Sequence, residues 1–201
     1  MYTYAFSNSD AVQRICEVYV TQGQLVLDCT YGKGNWWKWP HSGKLQLVAS
    51  DLYPQQQGTL RATYHALPFK DAMFDAAFFD PPYYGHGSKT RGEPTASKQT
   101  GSFYGNRQEP TRNAFLRGLV ELSRVVKDKG IIVTKVTDGC DYYPMVPWVV
   151  GLRIGKFVDS VILVNQALRN WTPNKTARRK LRTCHSTFVV LRNHHYGRGA
   201  P

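Results

Sequence analysis

Asp80-Pro81-Pro82-Tyr83 sets a carboxylate, two ring-locked residues and an aromatic face side by side. The tetrapeptide follows Ala76-Ala77-Phe78-Phe79, an apolar run that reads as a buried strand. Successive prolines cannot continue a ladder, because they lack an N–H and their φ is fixed at about −65°. The strand should therefore end in a stiff turn, and open α/β sheets keep their ligand sites at the carboxyl ends of strands. An acid, carbonyls with no competing N–H and an aromatic ring are the parts needed to hold a planar amino group and activate its nitrogen.

A second group lies upstream, in Asp28-Cys29-Thr30-Tyr31-Gly32-Lys33-Gly34. An acid ends a strand-like run there, and two glycines follow. Glycines let the backbone turn sharply and let a ligand approach closely. Asp51 ends the next strand-like run, where an acid can accept both hydroxyls of a ribose. Neither G-x-G-x-x-G nor G-x-x-x-x-G-K-[ST] is present, and Asp28 would repel a phosphate, so the turn is a poor phosphate cradle.

Strand-like and helix-like segments must alternate to place these residues on one edge, and they do. Residues 24–29, 46–51, 74–79, 131–136, 157–165 and 186–192 read as strands. Residues 9–20, 111–126 and 145–155 read as helices, the first capped by Ser9 or Asp10 and the second by Thr111. Two stretches read as loops. Residues 84–110 are rich in glycine and small polar residues, and a loop so long in a compact domain is usually functional or disordered. Residues 169–185 carry Arg169, Lys175, Arg178, Arg179, Lys180 and Arg182 with no acid among them.

A chain of 201 residues with 42% hydrophobic content supports one domain, spanning 1–201, with a full core. The formal net charge of +12 favours a polyanionic partner, of which nucleic acid is the commonest. Cys16, Cys29, Cys140 and Cys184 form no Cys-x-x-Cys, so no metal or redox motif is expected, and the pattern suits a reducing cytosol. Met1-Tyr2-Thr3-Tyr4-Ala5-Phe6 has no basic region followed by an apolar stretch, so no signal peptide is expected. No apolar run nears the ~18 residues a transmembrane helix needs.

Taken in order, Asp28-x-x-x-Gly32-x-Gly34, Asp51, Leu67-Pro68-Phe69-x-Asp71, Phe74-Asp75 and Asp80-Pro81-Pro82-Tyr83 resemble the class I S-adenosylmethionine-dependent amino-methyltransferases. The likeness extends from about residue 22 to residue 193. The closing segment Cys184–Arg192 is similar to the last strand of phage and bacterial DNA methyltransferases. The resemblance implies a Rossmann-like α/β fold, a mostly parallel seven-stranded sheet with an antiparallel last strand. It implies S-adenosyl-L-methionine as cofactor and a cytoplasmic enzyme of a bacterium or a phage-infected host, monomeric or homodimeric. Asp28, with Thr30, Gly32 and Gly34, would face the methionine part. Asp51 would hold the ribose, and Leu52, Leu67 and Phe69 would belong to the cofactor site. Many relatives carry an acid or Asn four residues before Leu-Pro-Phe to take the adenine amino group, and here that residue is Thr63. Tyr64 and His65 are the neighbours able to substitute.

An exocyclic amine on a base is a poor nucleophile, because its lone pair is delocalised into the ring. Asp80 and the Pro81 carbonyl would accept its two N–H groups and draw the nitrogen toward tetrahedral geometry. Positioning and fixed dipoles would then supply most of the acceleration. Tyr83 would stack on a base that has left its helix, and Pro82 would keep the turn rigid. A covalent cytosine-C5 route needs a cysteine at this turn, and none is there.

The connection from the sixth to the seventh strand of this fold lies on the substrate side. That places Arg169, Lys175, Arg178, Arg179, Lys180 and Arg182 there, with Trp171 available to stack on a base. Lys135 ends the strand after the catalytic one, either as a contact to phosphate or base or as a plain surface lysine. The loop at 84–110 adds Lys89, Arg91, Lys98, Arg107, His86, Phe103 and Tyr104, and is expected to be a mobile lid or base-reading loop. The expected reaction is methylation of a base amino group in DNA, adenine N6 before cytosine N4. An RNA base amine is the second reading, and a nucleic-acid-binding protein without catalysis the third.

Overall fold

In the computed structural model the described residues are 3–80, 111–136, 145–164 and 185–194. The strands are β1 (Thr3–Ala5), β2 (Leu25–Asp28), β3 (Gln46–Asp51), β4 (Leu60–Arg61), β5 (Phe74–Phe79), β6 (Val126–Val136), β7 (Gly155–Val164) and β8 (His185–Asn193). They form one 8-stranded sheet in the order β1-β7-β8-β6-β5-β2-β3-β4. Only β8 runs against its neighbours, β6 and β7; every other pair is parallel. From β2 the chain moves outward to β3 and β4, then returns to β5 on the other flank and continues to β6. The crevice at the carboxyl ends of β2 and β5 is therefore the topological switch point, where doubly wound sheets bind ligands.

The strands alternate cleanly between two cores. Val26, Ala76, Phe78, Ile131, Val133, Phe188 and Val190 face one layer, whereas Leu27, Ala77, Phe79, Ile132, Val189 and Leu191 face the other. The helices α2 (Thr111–Val125) and α3 (Met145–Gly151) cover the second layer through Phe115, Leu119, Leu122, Met145 and Val149. The helix α1 (Asn8–Tyr19) covers the first through Ala11, Val12, Ile15 and Cys16. Its cap is Ser7, whose hydroxyl accepts the Asp10 N–H at 3.1 Å, and not Ser9 or Asp10 as the sequence predicts.

Between β2 and β3 there is no α-helix, only two 3-10 turns at Asn35–Trp37 and Ser42–Lys44. Indole rings do the covering instead. Trp36 lies edge-on to Phe78 and Phe188, with centroids 6.5 and 5.0 Å away, and Trp37 lies 5.0 Å from Phe78. Both tryptophans are only 7% exposed.

The sheet has one strand more than expected. The surplus edge strand β1 is too short for periodicity to reveal, as is β4. The strand β6 begins at Val126, well before the predicted 131, because Val126 pairs with Phe74 and the ladder resumes only at Ala76–Ile131. The intervening residues bulge outward, with Lys129 at φ 62°. At the far end Asn193, fully buried, donates through Nδ2 to the carbonyls of Ser123, Val126 and Lys127 and accepts from Ser123 Oγ. These bonds pin β8 to the α2–β6 junction.

Candidate active site

The register brings the predicted acids to one edge. Asp28 pairs with Ala49 of β3 and Phe78 of β5, and Phe79 pairs with Thr134 of β6. Asp28, Asp51, Asp80 and Lys135 therefore stand at or just past the carboxyl ends of four adjacent strands.

Thr30 ties two of them together. Its N–H donates to Asp28 Oδ1 at 3.0 Å, and its hydroxyl oxygen accepts the Asp80 N–H at 2.8 Å. Asp28 Oδ2 accepts the Trp37 indole N–H at 2.8 Å. Asp28 is 2% exposed, and burial pushes its carboxyl up to about 7. The bonds from Trp37 and Thr30 oppose that rise, while the charges of Asp80 and Asp51 add to it.

Asp51 holds the glycine turn. Its Oδ2 accepts the Gly32 N–H and its Oδ1 accepts the Tyr53 N–H, both at 2.8 Å. An ionised carboxylate offers about four acceptor directions, so hydroxyls of a ribose can still be accommodated. Gly32 and Gly34 have φ of 53° and 67°, in the left-handed region that side chains disfavour. A Cβ on Gly34 would also sit 2.6 Å from the Tyr31 hydroxyl, whereas none would be obstructed at Gly32. Leu52 and Tyr53 follow, 41% and 38% exposed, and present an apolar surface beside Asp51.

Leu67 and Phe69 are placed differently. Leu67 is 5% exposed within the α2-side core, and Phe69 meets Phe74 edge-on at 4.9 Å. Their segment is clasped to α2: Arg124 donates to the carbonyls of Leu67 and Phe69 and to Asp71, and Glu121 accepts the Leu67 N–H. Thr63 turns back on itself, its carbonyl and hydroxyl accepting the N–H groups of Ala66 and His65 at 3.2 and 3.4 Å.

At Asp80 the two oxygens differ. Oδ2 lies 3.8 Å from the Lys135 ammonium, whereas Oδ1 is buried and makes no hydrogen bond with the described residues. Burial raises the Asp80 carboxyl above its ordinary value, and the positive charge of Lys135 opposes the rise. The predicted Pro81, Pro82 and Tyr83 lie outside the described residues, as do the loop at 84–110, Arg169, Trp171, Lys175, Arg178, Arg179, Lys180 and Arg182. Among the described residues no group of His, Cys, Asp and Glu could hold a metal ion, and no helix is long and apolar enough to cross a membrane.

Sequence reasoning missed Trp37 as the donor to Asp28 and the Thr30 hydroxyl as the strut beneath Asp80. A dense aromatic cluster, Trp36-Trp37-Lys38-Trp39, at the place of a crossover helix was the available signal for the first.

No family model matches the sequence, and no curated protein matches it either. Solved structures do. A 1,6-didemethyltoxoflavin-N1-methyltransferase from Burkholderia thailandensis, with 1,6-didemethyltoxoflavin and S-adenosylhomocysteine bound, is similar with a TM-score of 0.59 at 14% identity, over 94% of this chain and 79% of that one. The N-methyltransferase NodS of Bradyrhizobium japonicum gives 0.54 at 8% identity, over 91% and 92%. A SAM-dependent methyltransferase of Methanosarcina mazei gives 0.53 at 10% identity, over 90% and 97%. The chain has the Rossmann-like fold of the class I methyltransferases.

Proposed function

We propose that the protein is an S-adenosylmethionine-dependent methyltransferase that modifies an exocyclic amino group of a nucleic-acid base, adenine N6 in DNA before cytosine N4. The observation that carries this reading is Asp80: a carboxylate at the switch point, tied through Thr30 to Asp28, with a buried oxygen that no group among the described residues satisfies. A buried acceptor without a partner costs about 1–3 kcal/mol, which an incoming N–H would recover.

The residues present fit the cofactor. Asp51 retains acceptor capacity for ribose hydroxyls, Gly32 leaves open space where a side chain would stand, and Leu52 and Tyr53 offer an apolar face. When bound, S-adenosylmethionine supplies an electrophilic methyl group on a sulfonium. Asp80 Oδ1 would accept one N–H of the amine, and the carbonyl of Pro81, which lies outside the described residues, is the proposed acceptor of the other. Held so, the nitrogen lone pair would be turned out of conjugation and made available to the methyl group that the cofactor would supply. Names of two structural neighbours point to nitrogen as the acceptor atom. The choice of nucleic acid rests on the net charge of +12 and the cations of residues 169–182.

Incubation with methyl-labelled cofactor and plasmid DNA or total RNA, followed by digestion to nucleosides and mass spectrometry, tests the reading. N6-methyladenine in DNA is the expected product. Label confined to RNA would move the substrate, and no label in either would leave only the fold. Asp80→Ala should lower kcat by about 10²–10³ while leaving calorimetric cofactor affinity intact. A fully active Asp80→Ala enzyme would sink the mechanism.

A further inference from the structure

Lys135 stands one residue before the end of β6, and its side chain is only 14% exposed. Its Nζ lies 3.8 Å from Asp80 Oδ2 and 6.0 Å from the centroid of Phe188. A lysine that serves a phosphate keeps its ammonium in water at the end of a flexible stem. Here the ammonium is turned inward, between an aromatic face and the one acid that the reaction needs.

We propose that Lys135 is a positioning residue: its ammonium is the fixed counter-charge of the Asp80 carboxylate, holding Oδ2 so that Oδ1 is left aimed at the substrate amino group. This rests on the reading of Asp80 as the acceptor of that amine. The asymmetry of the two oxygens is the geometric support, since one faces the ammonium and the other is buried without a partner among the described residues.

The electrostatics agree. Burial raises Asp80, and Lys135 opposes it. Among the described residues the other charge that acts within this group is Asp28 at the end of β2, coupled in turn to Asp51. Those interactions raise Asp28, whereas at Asp80 itself burial is opposed by the one cation that acts there among the described residues, Lys135. A protonated carboxyl would be a weaker acceptor, and with its proton on Oδ1 it would present an O–H to the amine in place of an acceptor.

Lys135→Met keeps an unbranched apolar stem against Phe188 and removes the charge. In this variant kcat should fall by about tenfold at neutral pH, recover as pH rises, and show its acid limb displaced upward. Lys135→Arg should restore the wild-type limb, and calorimetric cofactor affinity should be unchanged in both. The side-chain carboxyl of Asp80 is also followed by carbon NMR titration without substrate, where Lys135→Met should titrate at higher pH than wild type. An unmoved Asp80 titration overturns the proposal. So does a Lys135→Met enzyme with an unmoved acid limb but weaker nucleic-acid binding and a salt slope reduced by about one, which would make Lys135 a phosphate contact. A wild-type protein that methylates neither DNA nor RNA would refute the proposed function, and the NMR titration would still decide the Lys135–Asp80 coupling.

Discussion

At Asp28, burial and hydrogen bonding pull in opposite directions, and burial wins. Its folded value of about 7 lies above the ordinary 3.8, so between these values the folded protein holds a proton that the unfolded chain has released. Stability from this group therefore falls as pH rises from about 4 to about 7 and is flat beyond. Asp28→Asn has no proton to lose. The wild type should thus lose, relative to Asp28→Asn, on the order of 3 kcal/mol between about pH 5 and about pH 8 or somewhat less, read from urea unfolding at both pH values. A difference between the two proteins that does not change with pH would show that Asp28 is ionised throughout. The identity of this acid was legible from the sequence, as was that of Asp51. Its environment was not, because Trp37 reaches it only once the segment after Gly34 folds back over the sheet.

On the scale of elements, α2 sets the approach of the core to the site. Gly118 faces the rings of Phe79 and Tyr64, and a Cβ there would stand 2.7 Å from Phe79 Cζ and 3.0 Å from Tyr64 Cδ2. Phe79 is fully buried and immediately precedes Asp80, so its ring cannot yield without disturbing the strand end. Helix propensity alone says that Gly118→Ala should stabilise by about 1 kcal/mol. Overpacking reverses the sign, and the variant should be destabilised by about 1–3 kcal/mol in thermal unfolding. Nothing in the periodicity of α2 marked this residue, because a close approach is a property of two elements and not of either one. By contrast β3 and β5 were legible to the residue, at Gln46–Asp51 and Phe74–Phe79. Each is a compact apolar run closed by an acid or a turn. The α-helix that doubly wound folds place between their first two strands is replaced here by buried indoles, which obey no helical period.

At the scale of the whole molecule, the strand ends at Asp80, Val136, Val164 and His185 stand on one edge of the sheet. Residues 81–110 follow Asp80, residues 137–144 follow Val136, and residues 165–184 join Val164 to His185, which pair with each other. Because β8 runs antiparallel to both β6 and β7, the end of β7 and the start of β8 lie at the edge that carries Asp80 and Lys135. The proposed nucleic-acid contact by the cations of residues 169–182 is testable by mutation. Changing Arg178, Arg179 and Lys180 together to Ala should weaken nucleic-acid binding and flatten its salt dependence by about three units of log–log slope. Cofactor affinity by calorimetry should not change. Unaltered binding across a salt series would remove these residues from the interface.

The chain of Asp28, Gly32, Gly34, Asp51 and Asp80 was determined by the sequence itself, since each closes or follows a recognisable strand and the strand ends of a parallel sheet converge. The order of the strands on the page of the sheet, and so which acids are neighbours, was decided by tertiary structure. So were the Thr30 strut, the Trp37 bond and the inward turn of Lys135. These depend on side chains far apart in the chain meeting across β2, β5, β6 and β8, and a one-dimensional pattern of apolar and polar residues carries no term for that meeting.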